Sequence, residues 1–217
     1  MSGLAVFRDF FHEVEPIKMK EPLAETLGAF ERQEAVLEYS FIDAVKLAGH
    51  ACPSVAGAFL CCQSALSTLY DDETPVRGNI RVTVFGDPDE GALGVMAQVC
   101  TFITGAALET GFKGLGPLFK RKDLLRFETG AIQCDAACFR FERVDMEKSV
   151  LVRFHPDLVP FPGDKGERLA SLMKQVISGR ADAGQRRKFQ DLWMERIELM
   201  IIGKKEIGRW LEIEEVK

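Results

Sequence analysis

GHACPSVAGAFLCCQSALSTL, residues 49–69, carries the clearest periodic signal in the chain. Val55, Ala58, Phe59, Cys62, Ala65, Leu66 and Leu69 recur at three- and four-residue intervals, which sets them along one face of an α-helix. Pro53 suits the first helical position, where a backbone N–H would have no intrahelical partner. Cys52 then becomes the N-cap. Its sulfur faces unpaired N–H groups and the positive end of the helix dipole, both of which favour thiolate over thiol.

On the N-terminal side, VLEYSFIDAVKLAG (36–49) alternates through Leu37, Tyr39 and Phe41 and then passes to helical spacing. That pattern predicts a strand and a short helix closed by Gly49. Earlier still, VFRDFFHEV (6–14) reads as a short amphipathic helix and EPLAETLGAF (21–30) as a second helical piece. On the C-terminal side, PVRGNIRVTVFG (75–86) turns Ile80, Val82 and Val84 to one face and predicts a strand ended by Gly86-Asp87-Pro88. GALGVMAQVCTFITGAALETG (91–111) is apolar nearly all round and predicts a central, buried helix.

ACFRFERVD (137–145) and SVLVRFHPD (149–157) both alternate about an acidic turn and predict a hairpin. Beyond Lys165, the stripe Leu169, Leu172, Met173, Val176 predicts a helix. Asp182 caps another that carries Phe189, Leu192, Trp193, Ile197 and Met200. The order predicts an α+β fold, with a mixed or antiparallel sheet packed with helices on one face. The Pro/Gly cluster HPDLVPFPGDKG (155–166) divides a core, residues 1–160, from a C-terminal helical accessory element, 161–217.

With 47% apolar residues the chain can build a core without covalent staples. Its net charge of −5 argues against nucleic acid as a partner, because neutralising phosphates needs a basic face. No apolar run reaches membrane-spanning length, and the first residues carry acids where a signal peptide is basic. A cytoplasmic protein is expected, with no membrane partner. The six cysteines include no C-x-x-C pair, so free and mostly buried thiols are expected.

Chemistry concentrates in two places. His50 and Cys52 lie in one loop, and imidazole and thiolate together suit zinc and related metals. Spacing alone favours a capped helix start and a hydrogen-bonded histidine over a metal site. Asp87, Asp89 and Glu90 follow the second predicted strand, as further oxygen donors or as turn and capping residues. The second place is GFKGLGPLFKRKDLLRF (111–127), where Lys113 and the glycines 111, 114 and 116 could cradle an anion with backbone amides. Lys120, Arg121, Lys122 and Arg126 add positive charge, on a solvated loop or in an anion pocket. His12 and His155 receive no role, and Cys134 and Cys138 form only a weak ligand pair.

Gly49-His50-Ala51-Cys52-Pro53 and the small-residue helix after it resemble the G-H-x-C-P-G-x-x-x-G signature of FmdE, a family of formylmethanofuran dehydrogenase subunits. FITGAALETGFKGLG (102–116) is similar to that family's TGCT-x-GKG segment through Thr104, Gly105, Lys113 and the glycines. The resemblance spans about residues 40–155. It implies an α+β core, a homodimer, and zinc or another divalent transition metal held by His50 and Cys52, in a protein accessory to oxidoreductase or C1 chemistry. Thr104, Lys113 and Gly114 in the second segment are the expected cofactor contacts.

The chain departs from the family pattern at Ser54, in place of a glycine, and at Ala106, in place of a cysteine. It has no cysteine-rich zinc finger near its C-terminus. The alternative expectation is a non-catalytic binding module for a small anionic or planar cofactor of pterin or tetrapyrrole type.

Overall fold

Alternating residues become strands wherever one side of the alternation can be covered by a helix. The computed structural model describes residues 5–32, 35–132 and 134–216. Its elements are β1 (Ile17–Lys20), α1 (Pro22–Thr26), β2 (Val36–Tyr39), α2 (Phe41–Ala48), α3 (Pro53–Tyr70), β3 (Ile80–Phe85) and α4 (Leu93–Thr104). They continue with β4 (Leu125–Glu128), β5 (Ala137–Arg143), β6 (Ser149–Phe154), α5 (Gly163–Ile177), α6 (Ala183–Glu198), α7 (Ile207–Trp210) and β7 (Leu211–Val216).

The fold is α+β. A five-stranded mixed sheet, ordered β4-β3-β5-β6-β7, packs against helices, and β1 with β2 forms a separate antiparallel pair. Within the large sheet β3 and β4 run parallel, and the other neighbours are antiparallel. Ile80, Val82, Val84, Phe139, Phe141, Val150, Val152 and Phe154 turn inward beneath α3 and α4, and all are buried. Each such side chain contributes roughly 1.5–3 kcal/mol when taken out of water. The opposite sheet face carries a charged ladder that includes Arg81–Glu142 and Arg153–Glu214.

α3 starts at Pro53 with Cys52 as N-cap, and α2 ends at Gly49 in the left-handed conformation with φ +75°. Ser40 and Asp43 close a capping box at the start of α2, and Asp182 with Gln185 does the same for α6. The apolar run 91–111 is helical only to Thr104, because Gly105 takes φ +76° and caps the C-terminus. The helix expected at 6–14 is a single 3-10 turn, Asp9–Glu13. β1, β4 and β7 were not expected from the sequence. β7 comes from the segment read as a helical accessory element, and Trp210 beside it is fully buried against Phe154. Among the described residues no helix is long and apolar enough to cross a membrane.

Close approach of α3 to the sheet depends on Gly57. A Cβ there would lie 2.4 Å from the Phe154 ring. Glycine in a helix interior normally costs about 1 kcal/mol relative to alanine. Here overpacking outweighs that gain, so Gly57→Ala should destabilise the protein by about 1–3 kcal/mol in urea denaturation. An increase in stability would show that α3 does not sit this close to β6.

Candidate functional site

Two ends of the β3–α4–β4 unit carry the chemistry. At one end lies the start of α3. Cys52 Sγ accepts the Val55 N–H at 3.5 Å, which is the capping role expected from Pro53. The exposed His50 ring holds its Nδ1 2.9 Å from the Ala48 carbonyl oxygen. A carbonyl only accepts, so Nδ1 carries a proton, and in the neutral ring the lone pair is on Nε2. Trp193 Nε1 donates to the Ala51 oxygen at 2.9 Å and fixes the residue between the two candidates.

Among the described residues no three His, Cys, Asp or Glu side chains converge to hold an ion. His50 and Cys52 therefore offer two donors, one fewer than a catalytic zinc takes from its protein. The described residues alone do not complete such a site. Asp87 accepts the Thr129 hydroxyl at 2.6 Å, and Glu90 accepts the Asp87 N–H at 3.3 Å, so both are engaged in the turn that leads into α4. Asp89 is exposed in the same turn. A cavity of about 450 Å³ opens beside Ser54, with Glu90, Met96, Cys134 and Asp157 on its walls. Burial pushes the Cys61 and Cys62 thiols well above their ordinary range and Cys138 up to about 12. These three are core side chains rather than thiolates.

Thr104, Lys113 and Gly114 occupy three different local settings. The buried Thr104 hydroxyl donates to the Cys100 oxygen at 2.7 Å and accepts the Ala106 N–H at 3.1 Å, closing α4. Lys113 is exposed, with no side-chain partner among the described residues. Gly114 takes φ +99°, and a Cβ on it would sit 2.5 Å from the Leu118 oxygen, so it serves the turn itself.

The cavity at this end, about 550 Å³, lies at residues 117–124 and against the segment before β3. Arg77, Arg81, Lys120, Arg121 and Lys122 line it, and Asp123 is the one acid on its wall among the described residues. Behind the wall, the buried Glu21 carboxylate takes Arg121 Nη2 at 2.5 Å on one oxygen and Arg77 Nη1 at 2.8 Å on the other. Arg77 also donates to the Phe102 and Ile103 oxygens at 3.1 and 3.2 Å, placing a cation at the negative end of α4.

Arg121 is only 6% exposed, and its Nε and Nη1 have no hydrogen-bond partner among the described residues. Burial pulls its guanidinium below the ordinary value, against the opposing pull of Glu21. Gly78, also on the cavity wall, makes room for it, since a Cβ there would meet Arg121 Nη1 at 1.3 Å.

Sequence reasoning located Lys120, Arg121 and Lys122 but missed Glu21 and Arg77. Those two stand 100 and 44 positions before Arg121, outside the reach of any local pattern. Compared with protein-family models and with curated proteins, the chain matches none.

Removing one partner of a buried ion pair strands the others. Glu21→Gln should therefore cost about 3–5 kcal/mol in urea denaturation. Lys18→Met, which breaks the exposed Lys18–Glu38 pair, should cost under about 1 kcal/mol. Equal costs would mean that Glu21 does not organise the two arginines.

Proposed function

We propose that this protein is a non-catalytic binding module for a small anionic molecule, seated in the basic cavity between the segment before β3 and the loop before β4. The observation that carries this reading is the concentration of cations along one cavity, where Arg77, Arg81, Lys120, Arg121 and Lys122 stand against Asp123. Arg121 itself is nearly fully buried, and it shares the single Glu21 carboxylate with Arg77, so the pair carries more positive charge than its partner answers. The surrounding cations stand out in a chain of net charge −5, so the field of the cavity opposes that of the whole molecule. The motif resemblance supports a homodimer as the working form, and the composition supports a cytoplasmic one.

A second reading is favoured by the His50 tautomer. A ring that donates Nδ1–H to a carbonyl and leaves Nε2 free is the arrangement metal-ligating histidines adopt. In that reading His50 and Cys52 hold a divalent transition metal, with the remaining donors supplied from outside the described residues. Elemental analysis of protein purified without chelator should then find stoichiometric metal that is lost in both His50→Ala and Cys52→Ala. Unchanged content in both variants excludes it.

For the anion module, thermal denaturation at fixed ionic strength is the direct check. A ligand at about 100 times its Kd adds roughly 2.7 kcal/mol of stability, which corresponds to a Tm rise of about 5–10 °C in a chain of this size. Carboxylates, sulfates and phosphates should each be compared with the same concentration of chloride. At least one class should give that rise. A Tm that follows ionic strength alone for every class would remove the proposal.

A further inference from the structure

We infer that the ligand of the basic cavity is a phosphate monoester, with its dianionic phosphoryl group among Arg77, Arg121 and Lys122 and an uncharged body against the apolar part of the wall. This inference rests on the anion-binding reading above and names its ligand class.

Charge counting comes first. Arg77, Arg81, Lys120, Arg121 and Lys122 supply five positive charges. Three carboxylates oppose them: Glu21 between the two buried arginines, Asp123 at 3.1 Å from Lys120, and Glu142 at 3.9 Å from Arg81. Five against three leaves an excess of two. A carboxylate or a sulfate ester brings one negative charge, whereas a phosphate monoester carries about 1.5–2 at pH 7. Lys122 is half-buried and has no ion-pair partner among the described residues, so one of the excess charges is located on it. The other belongs to the Arg77–Glu21–Arg121 group, where one carboxylate meets two guanidiniums. Arg77 and Arg121 are held by Glu21 and the end of α4, so they act on the phosphoryl group through their charge, and Lys122 is the cation free to meet it.

The backbone agrees with that assignment. Phe119 and Asp123 take φ of +61° and +63°, the left-handed region that costs a non-glycine residue about 1–2 kcal/mol. They bracket Lys120, Arg121 and Lys122, and the strained loop turns all three cations toward one cavity. Strain of this sort persists where the surrounding structure imposes it and concentrates at binding sites.

Size argues for more than a bare ion. About 550 Å³ is ample for inorganic phosphate and falls within the range of small-molecule sites. Pro22, Pro117, Leu118, Phe119 and Val144 provide the surface for an uncharged, flat or apolar body.

Phenyl phosphate, phenyl sulfate and benzoate share one apolar body and differ in the charge and shape of the head group. Isothermal titration at matched ionic strength should show phenyl phosphate binding about tenfold or more tightly than either of the others. Lys122→Met, a change at a half-exposed position, should weaken phenyl phosphate by about tenfold or more. Arg153→Met, on the solvent side of the sheet, should leave the affinity unchanged. Phenyl sulfate or benzoate binding as tightly as phenyl phosphate overturns the phosphate assignment but leaves the anion module standing. Phosphate binding that is indifferent to Lys122→Met, or equally weakened by Arg153→Met, overturns the location. No binding of any of the three overturns both readings.

Discussion

The Glu21 carboxylate ties together parts of the chain that are distant in sequence. One oxygen takes Arg121 from the loop before β4 and the Leu23 N–H, and the other takes Arg77 from the approach to β3. A buried carboxylate without such partners would be prohibitively costly, so the three segments are held in one arrangement or not at all. Backbone bonds follow the same route: Lys20 N–H donates to the Pro75 oxygen, Arg77 N–H to the Lys20 oxygen, and Gly78 N–H to the Thr104 oxygen. Strand β3, the end of α4 and the basic loop thus meet around one side chain. The cavity is the space left on the outer side of that junction.

The two ends of the β3–α4–β4 unit differ in electrostatic character. The end with Cys52 and Ser54 presents the start of α3, and Glu90, Asp135 and Asp157 line its cavity. The other end presents the C-terminus of α4, whose carbonyls are occupied by Arg77, and cations surround it. Helix dipoles alone would favour the opposite distribution for an anion, with the ligand at a helix start. Side-chain charge decides the matter here. Full charges held at the cavity outweigh the half-charge of a helix terminus, and the acids around Ser54 work against anion binding there.

Features governed by local spacing were legible in the sequence. The Val55–Leu69 periodicity, Pro53 behind Cys52, Gly49 as a C-cap and the β5–β6 hairpin all depend on residues a few positions apart, and all appear in the fold. β4 was obscured because KRKDLLRF reads as a charged loop. It becomes a strand only through its parallel pairing with β3. β7 was hidden because its residues LEIEEV are acidic and mostly exposed, and pairing with β6 on an edge supplies what their composition does not. The basic loop was legible as a cluster of charge, but its function was not. What shapes the cavity beside it is Glu21 and Arg77, together with the missing Cβ of Gly78, and none of these is near it in sequence.

Tungstate matches phosphate in shape and charge and scatters anomalously, so crystals of the protein soaked in tungstate test the central claim most directly. The expected result is an anomalous peak inside the cavity, bounded by Arg77, Arg121 and Lys122, that disappears in Lys122→Met. Peaks confined to the start of α3 around Ser54, or to exposed lysines outside the cavity, would contradict it.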